Sequence, residues 1–246
     1  MQIIPAFVTQ NKCYQAGAPL TPRGIMLHSV GTPQPSARAL VRYMDQYQPG
    51  GQSVCVHAVV QADGTVYQLL PWEMRGWHCG GSANSTHIGV EMTEPSAGMT
   101  RSEAAEQIAG TYRTAVELFA ALCKQYDLDP AQDGVIIGHA EGHRRGAASN
   151  HADPELLWQQ YRTGCTMDGF RRDVAEAMAK EDREEVPDMP RYDSVAEMPQ
   201  WARADAQRLI DRGALQGNTD GKLDVSEDML RTMIVCQRMV DEQKET

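Results

Sequence analysis

The chain has 246 residues, a formal charge of −10, 41% apolar and 23% charged residues. That is the balance of an ordinary folded protein of one large or two ordinary domains. It disfavours a nucleic-acid binder, which needs a basic face, and no apolar run approaches the roughly 20 residues that insertion into a bilayer requires. The start, MQIIPAFVTQNKCYQAG, has no basic segment followed by an apolar one, so synthesis in the cytoplasm without a signal peptide is expected. Six cysteines, at 13, 55, 79, 123, 165 and 236, form no CxxC pair, which argues against a zinc-finger array and a disulfide scaffold. All six are expected to be unpaired, and Cys123 and Cys236, in helical apolar patterns, to be buried.

In chain order, RGIMLHSV (23–30) reads as a buried strand ending in a His-Ser step, followed by a turn, GTPQP. SARALVRYMDQY (36–47) has a helical apolar period behind a capping Ser36. PGGQ is a turn, and SVCVHAVVQADGTVYQLLP is a hairpin turning at Ala-Asp-Gly-Thr, with His57 a core residue hydrogen-bonded within it. GWHCGGSANSTH (76–87) is a loop of small residues. IGVEMTEP (88–95) is a strand ending in acids, residues 102–128 an amphipathic helix capped by Ser102, and GVIIGH (134–139) a strand. Residues 154–161 and 168–180 read as short helices. Strands interleaved with helices predict an α/β domain over 1–180, a mixed central sheet flanked by helices.

Composition changes at KEDREEVPDMPRYD, so residues 181–193 read as a linker. Residues 194–246 then give a helix (199–212), a Gly-ended loop and a helix (226–241) capped by Ser226. A helical module of about 50 residues is small for an independent core.

His28, Glu91 and His139 each fall at or just past the C-terminal end of a predicted strand, where the sites of sheet enzymes gather. After the last strand comes GHAEGHRRGAASNHADPE (138–155). A catalytic zinc site takes three protein ligands and leaves one position for water. HAEGH resembles HExxH but carries its Glu in the middle, in a stretch poor in helix formers, so His143 is expected to face solvent or order the loop. The residues alone leave His139, His143, His151 and Asp153 open as ligands.

Five motifs, LHS (27–29), VHAVVQADGTVYQLLP (56–71), GWHCGG (76–81), HIGVEM (87–92) and the cluster just quoted, resemble in order the zinc-dependent N-acetylmuramoyl-L-alanine amidases whose fold is shared with the peptidoglycan recognition proteins. The resemblance spans about residues 20–175. It implies zinc held by His28, His139 and Asp153, with Glu91 and His151 as catalytic groups and peptidoglycan as substrate. The loop before Asp153 is longer than the family's and carries extra histidines, which leaves His151 as the alternative third ligand; the Asp-Pro step favours Asp153. Trp77, His78 and Asn84, in the small-residue loop, line a sugar–peptide groove on this reading, or form a plain loop. Glu91 has a structural alternative, pairing with Arg144 or Arg145.

WARADAQRLIDRGALQGNTDGKLDVSEDMLRTMIVCQRM resembles one repeat of the surface-layer-homology type, which implies wall binding; the plainer reading is a helical hairpin that docks or forms a homodimer. Together these imply a phage or prophage endolysin released to the wall through holin pores. A cytoplasmic muropeptide-recycling amidase and a non-catalytic peptidoglycan-binding module are the alternatives.

Overall fold

The computed structural model describes residues 1–46, 54–184 and 190–242; the predicted PGGQ turn lies outside them. The chain divides into two compact units, Met1–Glu181 and Asp182–Thr246.

The first unit is a six-stranded mixed sheet in the order β1-β4-β3-β5-β2-β6. Its strands are β1 (Gln2–Pro5), β2 (Gly24–Ser29), β3 (Ala58–Val60), β4 (Thr65–Gln68), β5 (His87–Met92) and β6 (Ile136–Gly138). β3 and β4 form the predicted antiparallel hairpin. β3, β5, β2 and β6 run parallel, each to its neighbour. The near-continuous apolar runs of β2 and β5 follow from this placement, because central parallel strands are covered on both faces.

Side chains alternate across each strand. Ile25 and Leu27 of β2, Ile88, Val90 and Met92 of β5 and Ile136 of β6 enter one core with Ile108, Leu118 and Phe119. The last three come from α3 (Arg101–Gln125), and α5 (Glu155–Tyr161) and α6 (Met167–Glu184) add Trp158 and Phe170. On the opposite face, Val59, Tyr67 and Leu69 pack with Cys13 of α1 (Lys12–Ala16) and with Ala37, Leu40 and Met44 of α2 (Ala37–Met44). Met26, Ile137, Cys79 and Ala83 form a small separate cluster. His28 and Glu91 therefore stand on the face away from α3.

Several elements differ locally from expectation. α3 starts behind Thr100, not Ser102: the Thr100 hydroxyl accepts from Glu103 N–H while the Glu103 carboxylate accepts from Thr100 N–H, a reciprocal cap. At α2, Ser36 holds the cap position but makes no side-chain bond; the Gln61 side chain accepts the Ala37 N–H at 3.1 Å. His57 is buried as expected, but its bonds leave the hairpin: Nε2–H donates to the Met74 carbonyl at 2.7 Å and Nδ1 accepts the Gly89 N–H at 2.9 Å. Residues 139–144, expected as loop, form a short helix, α4 (His139–Arg144). Glu141 stabilises it by accepting from Gly138 N–H and by pairing with Arg171 of α6 at 2.9 Å.

α6 continues to Glu184, into the predicted linker. The second unit holds α7 (Gln200–Asp211), α8 (Glu227–Glu242) and a two-residue ribbon of β7 (Arg191–Tyr192) and β8 (Val225–Ser226). Its own core includes Met198, Ala202, Ala206, Leu209, Leu230 and Ile234. Ser226 caps α8 as expected, accepting from Met229 N–H. Cys236 is exposed, not buried, because the core face of α8 is the one carrying Leu230 and Ile234. Cys123 is buried and all six thiols are free.

Gly89 is where the sheet makes room for the site. A Cβ there would sit 2.4 Å from Cγ of His78. Gly89→Ala is expected to cost about 1–3 kcal/mol by overpacking, and to lower Tm by roughly 2–4 °C per kcal/mol for a unit of this size, read by thermal unfolding.

Candidate metal centre and catalytic site

Three parallel strands deliver the site. His28 is the penultimate residue of β2, Glu91 is its register partner on β5, and His139 follows β6 directly. The loop after α4 brings Asp153 back to the same point, where its Oδ2 also accepts from Ser29 N–H at 3.3 Å. His28 Nδ1 lies 3.0 Å from His139 Nδ1 and 3.2 Å from Asp153 Oδ2, and His139 Nδ1 lies 3.4 Å from Asp153 Oδ1. Among the described residues these three meet the geometric requirement for a shared ion.

The proton positions show what that arrangement needs. His78 Nε2 is 3.2 Å from the His87 carbonyl, which can only accept, so Nε2 carries the hydrogen. Burial, first, and neighbouring imidazoles hold His78 well below the ordinary histidine range, so its Nδ1 is a lone pair. That lone pair accepts from His28 Nε2–H at 2.9 Å. Burial also lowers His28, despite Asp153 beside it, so its Nδ1 is left as an acceptor. This acceptor faces a carboxylate and a second ring nitrogen, the donor types a shared cation would take. Tetrahedral ligands at 2.0–2.1 Å from zinc stand about 3.3 Å apart; here the two imidazole nitrogens are 3.0 Å apart, and each lies 3.2–3.4 Å from an oxygen of the Asp153 carboxylate, Oδ2 for His28 and Oδ1 for His139. Two imidazoles and one carboxylate also form a donor set suited to zinc. The His87 carbonyl, acting through His78, thus holds the His28 ring in place.

The other predicted site residues take varied positions. Glu91 is half-buried and lines the same cleft as His28, His139 and Asp153. Burial, first, and the nearby charges of Asp153 and Glu94 push its carboxyl well above the ordinary value. The two arginines offered as its structural partners are engaged elsewhere: Arg145 pairs with Asp133 and Arg144 lies 3.7 Å from Glu155. His151 is exposed at the cleft, its ring stacked 4.5 Å from that of His139. His143 is exposed, its Nδ1 3.4 Å from the Ala148 carbonyl. Trp77 lines the cleft and pairs through its backbone with Cys55. Asn84 also lines the cleft, while its side-chain oxygen accepts from His78 N–H at 2.9 Å and Cys79 N–H at 3.0 Å, fixing the loop that carries His78. Sequence reasoning did not single out Ser149, whose hydroxyl lies between His139 and His151; a serine in a Gly-Ala-Ser loop gives no signal.

The cleft encloses about 670 Å³. Its lining includes polar groups, His28, His139, Asp153, Glu91 and His151, and apolar ones, Leu40, Met44, Val54 and Val56. A ligand with both a polar reacting group and an apolar or peptide portion would fit such a lining.

A sequence profile of N-acetylmuramoyl-L-alanine amidases matches residues 18–156. Among solved structures, the chain is similar to the hydrolase AmiA of Staphylococcus aureus in complex with its ligand, with 20% identity over 76% of this chain and 88% of that one and a TM-score of 0.60. It is also similar to the catalytic domain of XlyA, with 22% identity over 71% of this chain and 99% of that one and a TM-score of 0.52. A mutant endolysin from Bacillus subtilis gives 21% identity, 71% and 99% coverage and a TM-score of 0.51. At these identities the likeness is one of fold. No curated protein matches the chain.

Proposed function

Because the chain belongs to the N-acetylmuramoyl-L-alanine amidase family, we propose that it is a zinc-dependent hydrolase cutting the amide between the lactyl group of N-acetylmuramic acid and L-alanine in peptidoglycan. The observation that carries this is the triangle of His28 Nδ1, His139 Nδ1 and Asp153 carboxylate, with sides of 3.0 to 3.4 Å, and Glu91 in register beside it.

An amide is a weak electrophile, and its nitrogen leaves only when protonated. Held by His28, His139 and Asp153, zinc would polarise the carbonyl and bring the pKa of water toward neutrality. Glu91 then takes the proton of the attacking water and passes it to the departing nitrogen. Its raised carboxyl pKa suits a group that must both accept and return a proton. His151, at the mouth of the cleft, donates from Nε2 in its imidazolium form to the carbonyl oxygen as that oxygen gains negative charge. Trp77, His78 and Asn84 bound the groove around the sugar and the first peptide residue, Asn84 by holding the loop in place.

We assign the chain the role of a phage or prophage endolysin, with residues 194–246 as an accessory module for wall binding or self-association. The separate core of that unit supports this reading. On this view the protein is made in the cytoplasm and reaches the wall through holin pores.

Metal analysis of the purified protein and mass spectrometry of digested cell walls test the proposal together. One zinc per chain and free stem peptides beginning at L-alanine are expected. Wall binding without released peptide would assign the protein to the non-catalytic recognition class. Activity on soluble muropeptides but not on intact walls would make it a recycling enzyme.

A further inference from the structure

We propose that Ser149 is a positioning residue whose single hydroxyl orients both the ligand His139 and the candidate catalytic His151. The inference rests on the zinc amidase reading and goes beyond it by assigning an outer residue that no ligand set contains.

Ser149 Oγ lies 3.0 Å from the Cys79 carbonyl, 3.0 Å from His151 Nδ1 and 3.3 Å from His139 Nε2. A carbonyl oxygen accepts only, so the one hydroxyl hydrogen goes to Cys79. The remaining oxygen lone pairs must then face N–H groups, which puts hydrogens on His139 Nε2 and on His151 Nδ1. The consequence for His139 is that Nδ1, the atom 3.0 Å from His28 Nδ1, is the lone pair offered to the metal. The consequence for His151 is that Nε2 is the atom left for the substrate.

The anchor is rigid. Ser149 N–H also donates to the Cys79 carbonyl, at 2.8 Å, and Ala83 N–H donates to the Ala147 carbonyl at 3.0 Å. A Cβ on Gly81 would meet that Ala147 oxygen at 2.2 Å, so the two loops approach as closely as backbone allows. Cys79 itself is held by the Asn84 side chain. The support thus runs from Asn84 through Cys79 and Ser149 to two imidazoles, and it parallels the support of His28 by the His87 carbonyl through His78.

The test compares wild type, Ser149→Ala and Ser149→Thr in the full chain, with thermal unfolding to establish that each variant is folded. Zinc affinity is measured by competition with a chelator, kcat and KM on muropeptides, and the imidazole ¹⁵N shifts by NMR on metal-free protein. Ser149→Ala is expected to weaken zinc binding by about 10- to 100-fold and to lower kcat with KM unchanged. The Nε2–H form of His139 is expected in wild type and lost in the alanine variant, and the threonine variant restores both readouts. A folded Ser149→Ala protein with wild-type zinc affinity, kcat and ring tautomers would overturn the assignment. Wild type that binds no zinc but shows the expected tautomers would overturn the zinc reading and leave the role of Ser149 standing; the opposite tautomers would remove that role whatever the metal content.

Discussion

Glu91→Gln is expected to lower kcat/KM by about 10²- to 10⁴-fold with zinc binding unchanged. Glutamine keeps the size and the hydrogen-bonding edge of the side chain but can no longer take a proton from water. Glu91 stands opposite His28 in the β2–β5 register, on the face away from α3, and lines the cleft with His28, His139 and Asp153. The arginines that would make it a structural acid pair with other carboxylates.

The same substitution carries a stability signature. Burial, with Asp153 and Glu94 nearby, raises the Glu91 carboxyl in the folded protein above the ordinary value of 4.5. A raised carboxyl favours folding fully below the ordinary value, and that contribution is lost as pH rises toward the folded value. Metal-free Glu91→Gln is therefore expected to melt above metal-free wild type at neutral pH and to lose that advantage below pH 4.5. Chemical denaturation at several pH values reads this directly. An active glutamine variant would remove Glu91 from the mechanism.

Asp153→Ala is expected to abolish stable zinc binding, a larger loss than the roughly 10- to 100-fold that removal of an outer partner causes. Asp153 supplies the single carboxylate of the proposed ligand set and lies within 3.4 Å of both imidazole nitrogens. For wild type, free zinc at about 1,000 times Kd adds about 4 kcal/mol of stability, a Tm rise of roughly 8–16 °C for a unit of this size. In Asp153→Ala that zinc-dependent rise should vanish while the metal-free protein still unfolds cooperatively. If His151 were the third ligand, His151→Ala would erase the zinc-dependent rise and Asp153→Ala would keep it.

Much of this site was legible because strand ends are legible. The apolar runs before His28, Glu91 and His139 marked three parallel strands, and parallel strands carry the residues at their C-terminal ends to one edge. Asp153 was not legible that way: it comes from a loop whose path depends on contacts with Ser29 and the two imidazoles, and only the family resemblance pointed to it. α4 was missed because its stability is tertiary, coming from Arg171 on a later helix acting on Glu141. β1 was missed because four residues, three of them exposed, carry no alternation; β1 forms by pairing with β4. The ribbon of β7 and β8, two residues each, leaves no pattern to read. The cap of α3 shifted from Ser102 to Thr100 because the reciprocal bond requires the glutamate three residues on, and that residue is Glu103. Cys236 reads as buried from an apolar helix pattern, but α8 turns a different stripe toward its core.

Anomalous diffraction at the zinc edge from crystals of the zinc-loaded protein tests the ligand assignment most directly. A single peak is predicted, within about 2.0–2.2 Å of His28 Nδ1, His139 Nδ1 and one Asp153 oxygen. A peak on His143 or His151 that leaves Asp153 outside bonding distance, or zinc-soaked crystals with no peak in the cleft, would contradict it.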